Sequence, residues 1–277
     1  MKMKTLVTAF ALTAFAISLN SCKKNDTADE IETTFQLSGD QAIADNLTQD
    51  ANDIYSEAAA QNNLMGNGPV GSTGVLGCAT VTITPLMGWP KLITIDFGAA
   101  CTDPRGNTRR GIIRVNLSDS VRKPGSIAIM TFDNYYVNGY KKEGTITWTN
   151  TSTPPTVISW QRKVENGKIT SPSGNYWLHS GIKNVVMTAG YGTPGDVTDD
   201  EYSVTGNHTV TNSAGATRTA TVLTPLIKKT ACANIDKGTV KIQGPNHYAI
   251  IDFGNGTCDN LATVSIDGRT PRTIILR

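Results

Sequence analysis

The sequence has few charged and few aromatic residues for its length of 277 residues. Charged side chains make up 17% and aromatic side chains 6% of the chain, whereas globular proteins carry about 25% charged residues. A coiled coil would need many more Ala, Glu, Lys and Leu residues, so this composition excludes one. The formal net charge of +2 provides no basic field, and we therefore expect no nucleic-acid partner.

The sequence also lacks the motifs of several common enzyme classes. It contains no Gly-x-Ser-x-Gly elbow, His-Glu-x-x-His helix, P-loop or dinucleotide fingerprint. The only histidines are His179, His208 and His247, and none has a second histidine or a cysteine at metal-ligand spacing. We interpret them as surface residues of strands or loops, and we expect a protein that is not an enzyme and uses no cofactor or metal.

The first residues have the order of a processing signal. Lys2 and Lys4 precede an apolar run over 5–19, which is short for a membrane span. The run ends in Leu19-Asn20-Ser21-Cys22, which resembles a bacterial lipobox. The resemblance implies a lipoprotein signal peptide over 1–21, cleavage before Cys22, and acylation of Cys22 by palmitate-like chains that anchor the protein to a membrane. The alternative is an ordinary secretory signal followed by an unrelated cysteine.

Residues 22–37 are predicted to form the lipidated cysteine and a charged tether. The run from Lys23 to Glu30 resembles the charged segment that follows the lipidated cysteine in surface-exported Bacteroidetes lipoproteins. That resemblance implies an outer-membrane, lipid-anchored protein exposed at the cell surface. A plain linker, with the body on the periplasmic face, remains the alternative.

Charge is divided unevenly along the chain. Residues 23–62 contain two basic and nine acidic residues, a net −7, while residues 63–277 contain 21 basic and 14 acidic residues, a net +7. Such asymmetry often separates an arm from a folded body. Within the arm, Ile43, Leu47 and Ile54 recur at helical spacing. We predict an amphipathic helix within 38–65, acting as a spacer, packing on one flank of the body, or binding a partner.

Beyond residue 74 the periodicity changes to that of strands. Segments such as Thr80-Val81-Thr82-Ile83-Thr84 alternate β-branched and polar residues, and Asn-Gly or Asp-Gly pairs separate several of them. This pattern predicts a β-rich body over 75–277. The fold class is therefore mainly β, with antiparallel sheets in a sandwich-like or extended meander arrangement and one short N-terminal amphipathic helix.

A repeat lies near the two ends of this body. Ile-Asp-Phe-Gly occurs at Ile95–Gly98 shortly before Cys101, and again at Ile251–Gly254 shortly before Cys258. We therefore predict two related units, around 78–101 and 232–258. Asp96 and Asp252 occupy matched positions, where they serve either as turn carboxylates that accept backbone N–H groups or as catalytic or ligand-binding carboxylates.

The cysteine count predicts two disulfides. With Cys22 assigned to lipid, four of the five cysteines remain, and an even number in an exported chain indicates disulfide pairing. Because equivalent units should close equivalently, we predict Cys78–Cys101 and Cys232–Cys258. A zinc site is the rival interpretation, but zinc sites prefer closely spaced cysteine pairs that this sequence does not contain.

Charged and aromatic clusters supply the remaining candidate sites. Asp196, Asp199 and Asp200 form an acidic group that suits either a solvated turn or a calcium loop. A basic stretch around Arg109 and Arg110 forms the polar side of a strand, or meets lipid head groups, acidic glycans or the acidic arm. Adjacent strand residues face opposite sides of a sheet, so we single out two aromatic pairs as candidate ligand-binding residues, with one member exposed. These are Tyr135, Tyr136, Tyr176 and Trp177.

Taken together, these features resemble an uncharacterised class of Bacteroidetes-type outer-membrane lipoproteins with a lipobox, a short helix and a β-rich body. The resemblance implies location and architecture but no mechanism. We expect a lipid-anchored, non-catalytic cell-envelope protein that binds a glycan or protein partner. The alternatives are a structural or assembly component of the envelope without a small ligand, and a hydrolase that uses Asp96 or Asp252.

Overall fold

A computed structural model of the protein describes residues 23–154 and 157–276. One long helix, α1 (Lys23–Gln61), precedes fourteen strands and a short 3-10 helix at Val197–Asp199. The strands are β1 (Thr80–Thr84), β2 (Lys91–Asp96), β3 (Cys101–Thr102), β4 (Thr108–Leu117), β5 (Ile127–Val137), β6 (Tyr140–Asn150), β7 (Ser159–Thr170), β8 (Tyr176–Ala189), β9 (Glu201–Asn212), β10 (Thr217–Lys229), β11 (Lys237–Gln243), β12 (Tyr248–Asn255), β13 (Leu261–Ile266) and β14 (Arg272–Ile275).

The strands form one antiparallel meander. They pair in the order β1-β2-β4-β5-β6-β7-β8-β9-β10-β11-β12-β13-β14, and β3 pairs with β4 outside this path. The predicted mainly β fold class is therefore confirmed, in the meander form rather than as a sandwich. The two edge strands, β1 and β14, are only 5 and 4 residues long, and short edges limit unwanted pairing with other chains.

Strand alternation divides the sheet into an inner and an outer face. In β2, Ile93 and Ile95 are fully buried, whereas Leu92 is exposed and Thr94 is partly exposed. The same period of two runs through β7, where Arg162 and Val164 point inward and Lys163 points outward. The inner face packs against α1, so the outer face is the one available to other molecules.

The helix lies inside the curved sheet rather than on its flank. Every residue over 41–60 is buried except Ile43, which is partly buried. Its side chains contact strands as far apart as β4 and β10, through Arg109 and Arg218. The predicted position as a spacer or on one flank is therefore wrong, because the sheet curls round to cover every side of the helix.

The boundaries of the helix also differ from the prediction. It begins at Lys23 and ends at Gln61, whereas we predicted a helix within 38–65 and a tether over 22–37. Polar residues on the supposed solvent side are buried, among them Gln41, Asn46 and Gln49. Asn46 and Gln49 are hydrogen-bonded there, to Ile235 and Arg162 among others, and local periodicity does not reveal these partners. No helix in the described part of the chain is both long and apolar enough to cross a membrane.

The uneven charge of the sequence results from this enclosure. Acidic side chains of the helix meet basic side chains of the inner face: Asp50 binds Arg109 through two contacts of 2.5 and 2.8 Å, and Asp45 binds Lys183 at 2.5 Å. Asp53 binds Lys228 at 2.7 Å. Removing one partner of such a buried pair is costly because the other charge stays buried and unpaired.

Two disulfide-closed hairpins correspond to the repeat seen in the sequence. The first hairpin is β1–β2 with the disulfide Cys78–Cys101, and the second hairpin is β11–β12 with the disulfide Cys232–Cys258. The predicted pairing of the four cysteines is thus confirmed. The registers match as well, because Thr80 pairs with Asp96 in the first hairpin and Thr239 pairs with Asp252 in the second.

A row of glycines bends the central strands and shapes the outer face. Gly144, Gly167, Gly181 and Gly206 lie on β6 to β9, where neighbouring backbones approach closely. A Cβ atom on Gly181 would lie 2.4 Å from the carbonyl oxygen of Asn207, so only glycine fits. The pairing register shifts beside this row between β6 and β7 and between β7 and β8. Such irregularities bend a sheet.

Candidate functional site

The outer face carries a groove of about 520 Å³ over the bent part of β6 to β9. This volume is within the range of small-molecule sites. Its lining comprises Glu143, Asn166, Gly167, Lys168, Leu178, His179, Ser180, Thr209 and Thr211. Except for Gly167 and His179, these residues are exposed or partly exposed, so the groove opens to solvent.

Strand pairing places the polar groups of the groove side by side. Glu143 is opposite Lys168, Lys168 is opposite Leu178, and Leu178 is opposite Thr211. One row further along, the hydroxyl groups of Ser180 and Thr209 lie 3.0 Å apart. A carboxylate, an ammonium group and several hydroxyls therefore share one surface with a single apolar side chain. This set can exchange hydrogen bonds with a ligand rich in hydroxyl groups.

Aromatic side chains border the groove in a second row. Tyr136 on β5 is opposite Lys141 on β6, and Thr170 on β7 is opposite Tyr176 on β8. The Lys168 ammonium lies 4.6 Å from the centre of the Tyr176 ring, and the Arg110 guanidinium lies 3.6 Å from that of Tyr136. Tyr176 remains 38% exposed, so an apolar surface borders the polar lining.

The four predicted aromatic residues divide into two outward and two inward side chains. Tyr136 and Tyr176 lie on the outer face, as the proposal of a ligand surface requires. Tyr135 and Trp177 are 0% and 3% exposed, so their assignment as surface ligand residues is wrong. Alternation along each strand directs both side chains into the core. There the hydroxyl of Tyr135 accepts a hydrogen bond from Arg109 at 2.8 Å.

A second cluster of polar groups is buried inside the sheet around the helix. It contains Lys142, Arg162, His179, Lys183 and His208, together with the acid Asp45 of the helix. Burial lowers the pKa of Lys142 to about 7, and burial lowers the pKa of Arg162 to about 10. Burial would raise the pKa of Asp45, but the surrounding cations, Lys183 foremost, and the hydrogen bond from Lys183 together outweigh burial and hold the pKa at about 2.

The two histidines of this cluster correct a prediction from the sequence. His179 and His208 are each 3% exposed rather than on the surface, and their rings stack 6.1 Å apart. Burial, together with the neighbouring cations, lowers the pKa of His208 to about 3 and that of His179 well below its usual range. Both histidines are therefore neutral at physiological pH, and neither presents a free imidazole to solvent.

The interior cavity beside the helix has little room for a ligand. It is lined by residues that include Tyr55, Trp148, Trp160 and Tyr202, and its volume is about 20 Å³. That is space for about one water molecule. The outer groove is thus the better candidate for binding a ligand, and the buried cluster holds the helix inside the sheet.

The remaining candidate residues have structural roles. Asp96 accepts a hydrogen bond from the N–H of Gly98 at 2.7 Å, and Asp252 accepts one from Gly254 at 2.9 Å. The interpretation of both as turn carboxylates is confirmed. In the acidic loop, Asp196 accepts bonds from Thr198, while Asp200 accepts one from Tyr202. Asp196 and Asp199 remain partly or fully exposed, as a solvated turn requires, whereas Asp200 is 2% exposed and does not fit that prediction.

Two further predictions concern metal ligands and lipid. The sulfurs of Cys232 and Cys258 lie close to the Asp236 carboxylate, but a disulfide joins them, and only a thiolate is a good metal ligand. The predicted lipidation of Cys22 and the signal peptide over 1–21 lie outside the described residues.

Comparison of the chain with protein-family models, curated proteins and solved structures found no match in any of the three. The assignment of the groove as a candidate site therefore rests on the geometry of its residues alone. Sequence reasoning missed Glu143, Lys168 and Thr209, because polar residues that alternate along a strand look like ordinary solvated side chains. Only the pairing of four strands brings them to one place. The one local signal in the sequence was a glycine within each of these strands, such as Gly144 next to Glu143.

Proposed function

We propose that the protein is an exported, lipid-anchored, non-catalytic component of the cell envelope, and that its outer groove binds a glycan. The observation that carries this proposal is the groove itself. It combines hydroxyl groups, one carboxylate and one ammonium group with the exposed ring of Tyr176 at its border. Sugars offer both hydroxyl groups and apolar C–H faces, so a mixed surface of this kind suits them.

Two observations support export. Both disulfides bridge cysteines within one hairpin each, and disulfides persist in oxidising compartments rather than in the cytosol. The N-terminal sequence, with its lipobox-like Leu19-Asn20-Ser21-Cys22, supports anchoring through acyl chains at the outer membrane. The cell surface is the proposed location of the body, and the periplasmic face is the alternative.

A non-catalytic role is supported by where the titratable groups lie. The imidazoles of His179 and His208 are buried, and Asp96 and Asp252 serve turns. Within the groove, Glu143 is bound to Lys141 at 2.9 Å. We infer that Glu143 and Lys168 orient a ligand in the groove by hydrogen bonding and do not transfer protons to it.

The binding test uses the purified full chain and a panel of polysaccharides and oligosaccharides. We expect binding to at least one of them, and we expect Lys168→Ala combined with Tyr176→Ala to weaken it about tenfold or more, because a charge-assisted hydrogen bond and a ring contact are lost. Leu223→Ala is the matched control, since Leu223 is 55% exposed on β10. Equal binding by the double variant, or no binding to any glycan, would reject the groove as a glycan site.

The location is tested separately. We expect labelled palmitate to be incorporated into the chain and the label to be lost in Cys22→Ala. Protease treatment of intact cells should release peptides from the β-rich body if it lies at the surface. Protection until the outer membrane is broken would place the body in the periplasm and would favour the envelope-assembly alternative.

A further inference from the structure

The turn between β1 and β2 exposes an apolar tip. Residues 85–90 read Pro-Leu-Met-Gly-Trp-Pro, and we call them the tip. Leu86 and Met87 are each 87% exposed, the highest values among the exposed large apolar residues, and Trp89 is 39% exposed. Single exposed apolar residues are common on proteins, but several adjacent ones on a protruding turn indicate contact with another apolar phase.

The backbone of the tip is held by a buried lysine. The Lys91 ammonium donates hydrogen bonds to the carbonyl oxygens of Pro85 at 2.9 Å and Leu86 at 3.0 Å. The same ammonium lies 5.3 Å from the centre of the Trp89 ring. Two carbonyl groups are therefore satisfied inside the turn, as entry into a medium without water requires.

The second hairpin shows that its scaffold does not demand an apolar turn. Its strands have the same register, but its turn reads Gly-Pro-Asn-His at 244–247. That turn is polar and is bound by the helix, because Glu30 accepts hydrogen bonds from Asn246 at 2.9 and 2.8 Å. The apolar side chains of the tip are thus additional to what a hairpin of this kind needs.

The charges around the tip include a small excess of cations. The ammonium of Lys91 lies at its base, and in the adjacent β4–β5 turn the exposed Lys123 pairs with Asp119 while Arg122 lies 4.0 Å from Asp200. The two turns are neighbours because Lys91 pairs with Leu117. Tryptophan and lysine beside exposed aliphatic side chains are the residues that occur where proteins meet a bilayer surface.

The tip lies at the opposite end of the helix from the N-terminus. Glu30, near the start of α1, binds the turn of the second hairpin, while the carbonyl of Leu64, just past its end, accepts a bond from Val121 in the turn beside the tip. A helix of 39 residues is about 58 Å long. The start of the described helix and the tip therefore lie at opposite ends of the protein.

We propose that Leu86, Met87 and Trp89 insert into the surface of a lipid bilayer, independently of any N-terminal anchor. The exposed side chains of the tip are aliphatic and aromatic, the carbonyl groups of Pro85 and Leu86 are already bonded, and the ammonium of Lys91 lies at the base. If the chain is also anchored at Cys22, the tip inserts either into a second membrane or, with the body turned over, into the membrane that holds the anchor.

The test uses the fluorescence of Trp89 in the full chain. The chain has 4 tryptophans, and the other three, Trp148, Trp160 and Trp177, are between 3% and 7% exposed. Vesicles of brominated phosphatidylcholine, with and without phosphatidylglycerol, should quench the fluorescence of Trp89. The N-terminal segment is the same in every variant, so a difference in quenching between variants reports on the tip.

Three variants decide the outcome. We expect Leu86→Ser with Met87→Ser to weaken vesicle-dependent quenching at least about tenfold, and Trp89→Phe to remove it. Leu223→Ser, which changes an equally apolar exposed residue on β10, should leave it unchanged. The absence of quenching in the unaltered chain would overturn the proposal. Quenching that survives the double variant, or that persists in Trp89→Phe, would overturn it as well, because the contact would then lie elsewhere.

Discussion

The first and second hairpins have the same strand register, the same turn carboxylate and the same disulfide, but different turns. Val81 pairs with Ile95 in the first hairpin as Val240 pairs with Ile251 in the second. The first turn is apolar and exposed, whereas the second is polar and contacts Glu30 of the helix. Shared features therefore belong to the scaffold, and the turns are where the two copies have taken different roles.

Their relation to the helix differs as well. The second hairpin is tied to α1 at both ends, since the N–H of Ile235 donates a hydrogen bond of 2.7 Å to the Asn46 side chain. The first hairpin contributes Ile93 and Ile95 to the core, and its turn leaves Leu86 and Met87 87% exposed. The strands between the two hairpins carry the buried histidines and most of the cations that meet the helix.

The largest expected effect is a loss of stability at low pH, and it arises in these middle strands rather than in the hairpins. His208 on β9 has a pKa of about 3 in the folded chain, because it is buried beside cations, while an unfolded histidine titrates near 6.5. As pH falls from about 6.5 toward 3, the unfolded state takes up a proton that the folded state refuses. This difference in proton uptake does not destabilise the folded state above about pH 6.5. Below that pH it lowers the free energy of unfolding progressively, by a total on the order of several kcal/mol.

Urea unfolding at a series of pH values checks this expectation. His208→Asn should lose less stability on acidification than the unaltered chain does. Val240→Ala in the second hairpin should be less stable at every pH but keep the original slope. Equal slopes for His208→Asn and the unaltered chain would show that this histidine does not control the acid sensitivity.

The disulfides test whether the two hairpins are equivalent scaffolds. Their sequence separations are 23 and 26 residues, so chain entropy gives each a stabilisation of about 3 kcal/mol. We expect Cys78→Ser with Cys101→Ser, and Cys232→Ser with Cys258→Ser, to lower the free energy of unfolding by similar amounts. A loss confined to one pair would break the comparison, because only one hairpin would then need closure.

The contact between Asn46 and Ile235 distinguishes the hairpins by their tie to the helix. Asn46 is fully buried, and its amide also donates to the carbonyl of Ala42 at 2.9 Å. Asn46→Ala should cost about 1–3 kcal/mol, since the N–H of Ile235 would stay buried without its partner. Hydrogen exchange should then quicken in β11 and β12 and not in β1 and β2. Equal acceleration in both hairpins would argue against a separate tie.

The turn carboxylates should behave alike. Asp96→Asn and Asp252→Asn each weaken one hydrogen bond to a glycine N–H, so each should cost about 1 kcal/mol or less. Thermal unfolding of the two variants measures this directly. If one of them also abolished glycan binding while the other did not, that carboxylate would have a role beyond its turn.

Much of this architecture could be predicted because it depends on local patterns. Alternation predicted the strands, and the repeated Ile-Asp-Phe-Gly sequences predicted the disulfide pairing and the matched positions of Asp96 and Asp252, with a turn carboxylate as one of two roles. These features involve residues within one hairpin. Each is set by strand period, turn chemistry or the matching of two copies, and each is therefore visible in the sequence.

The position of the helix could not be predicted in this way. Asp45 and Asp53 look like the solvent side of an amphipathic helix, yet their partners Lys183 and Lys228 come from strands far along the chain. The division of charge into −7 and +7 was the one sequence signal, and it does not reveal which groups meet. The groove was hidden for the same reason, since Glu143 and Thr209 are brought together only by strand pairing.

The smallest expected change in stability comes from the tip and sharpens the comparison most. Because Leu86 and Met87 are almost fully exposed, Leu86→Ser with Met87→Ser should shift the free energy of unfolding by less than about 0.5 kcal/mol. The second hairpin already has a polar turn at the matched place, so the scaffold should tolerate the change. Urea unfolding of the double variant beside the unaltered chain measures it. A large loss would mean that the tip packs against the protein itself, and the difference between the two turns would then be structural rather than a sign of separate roles.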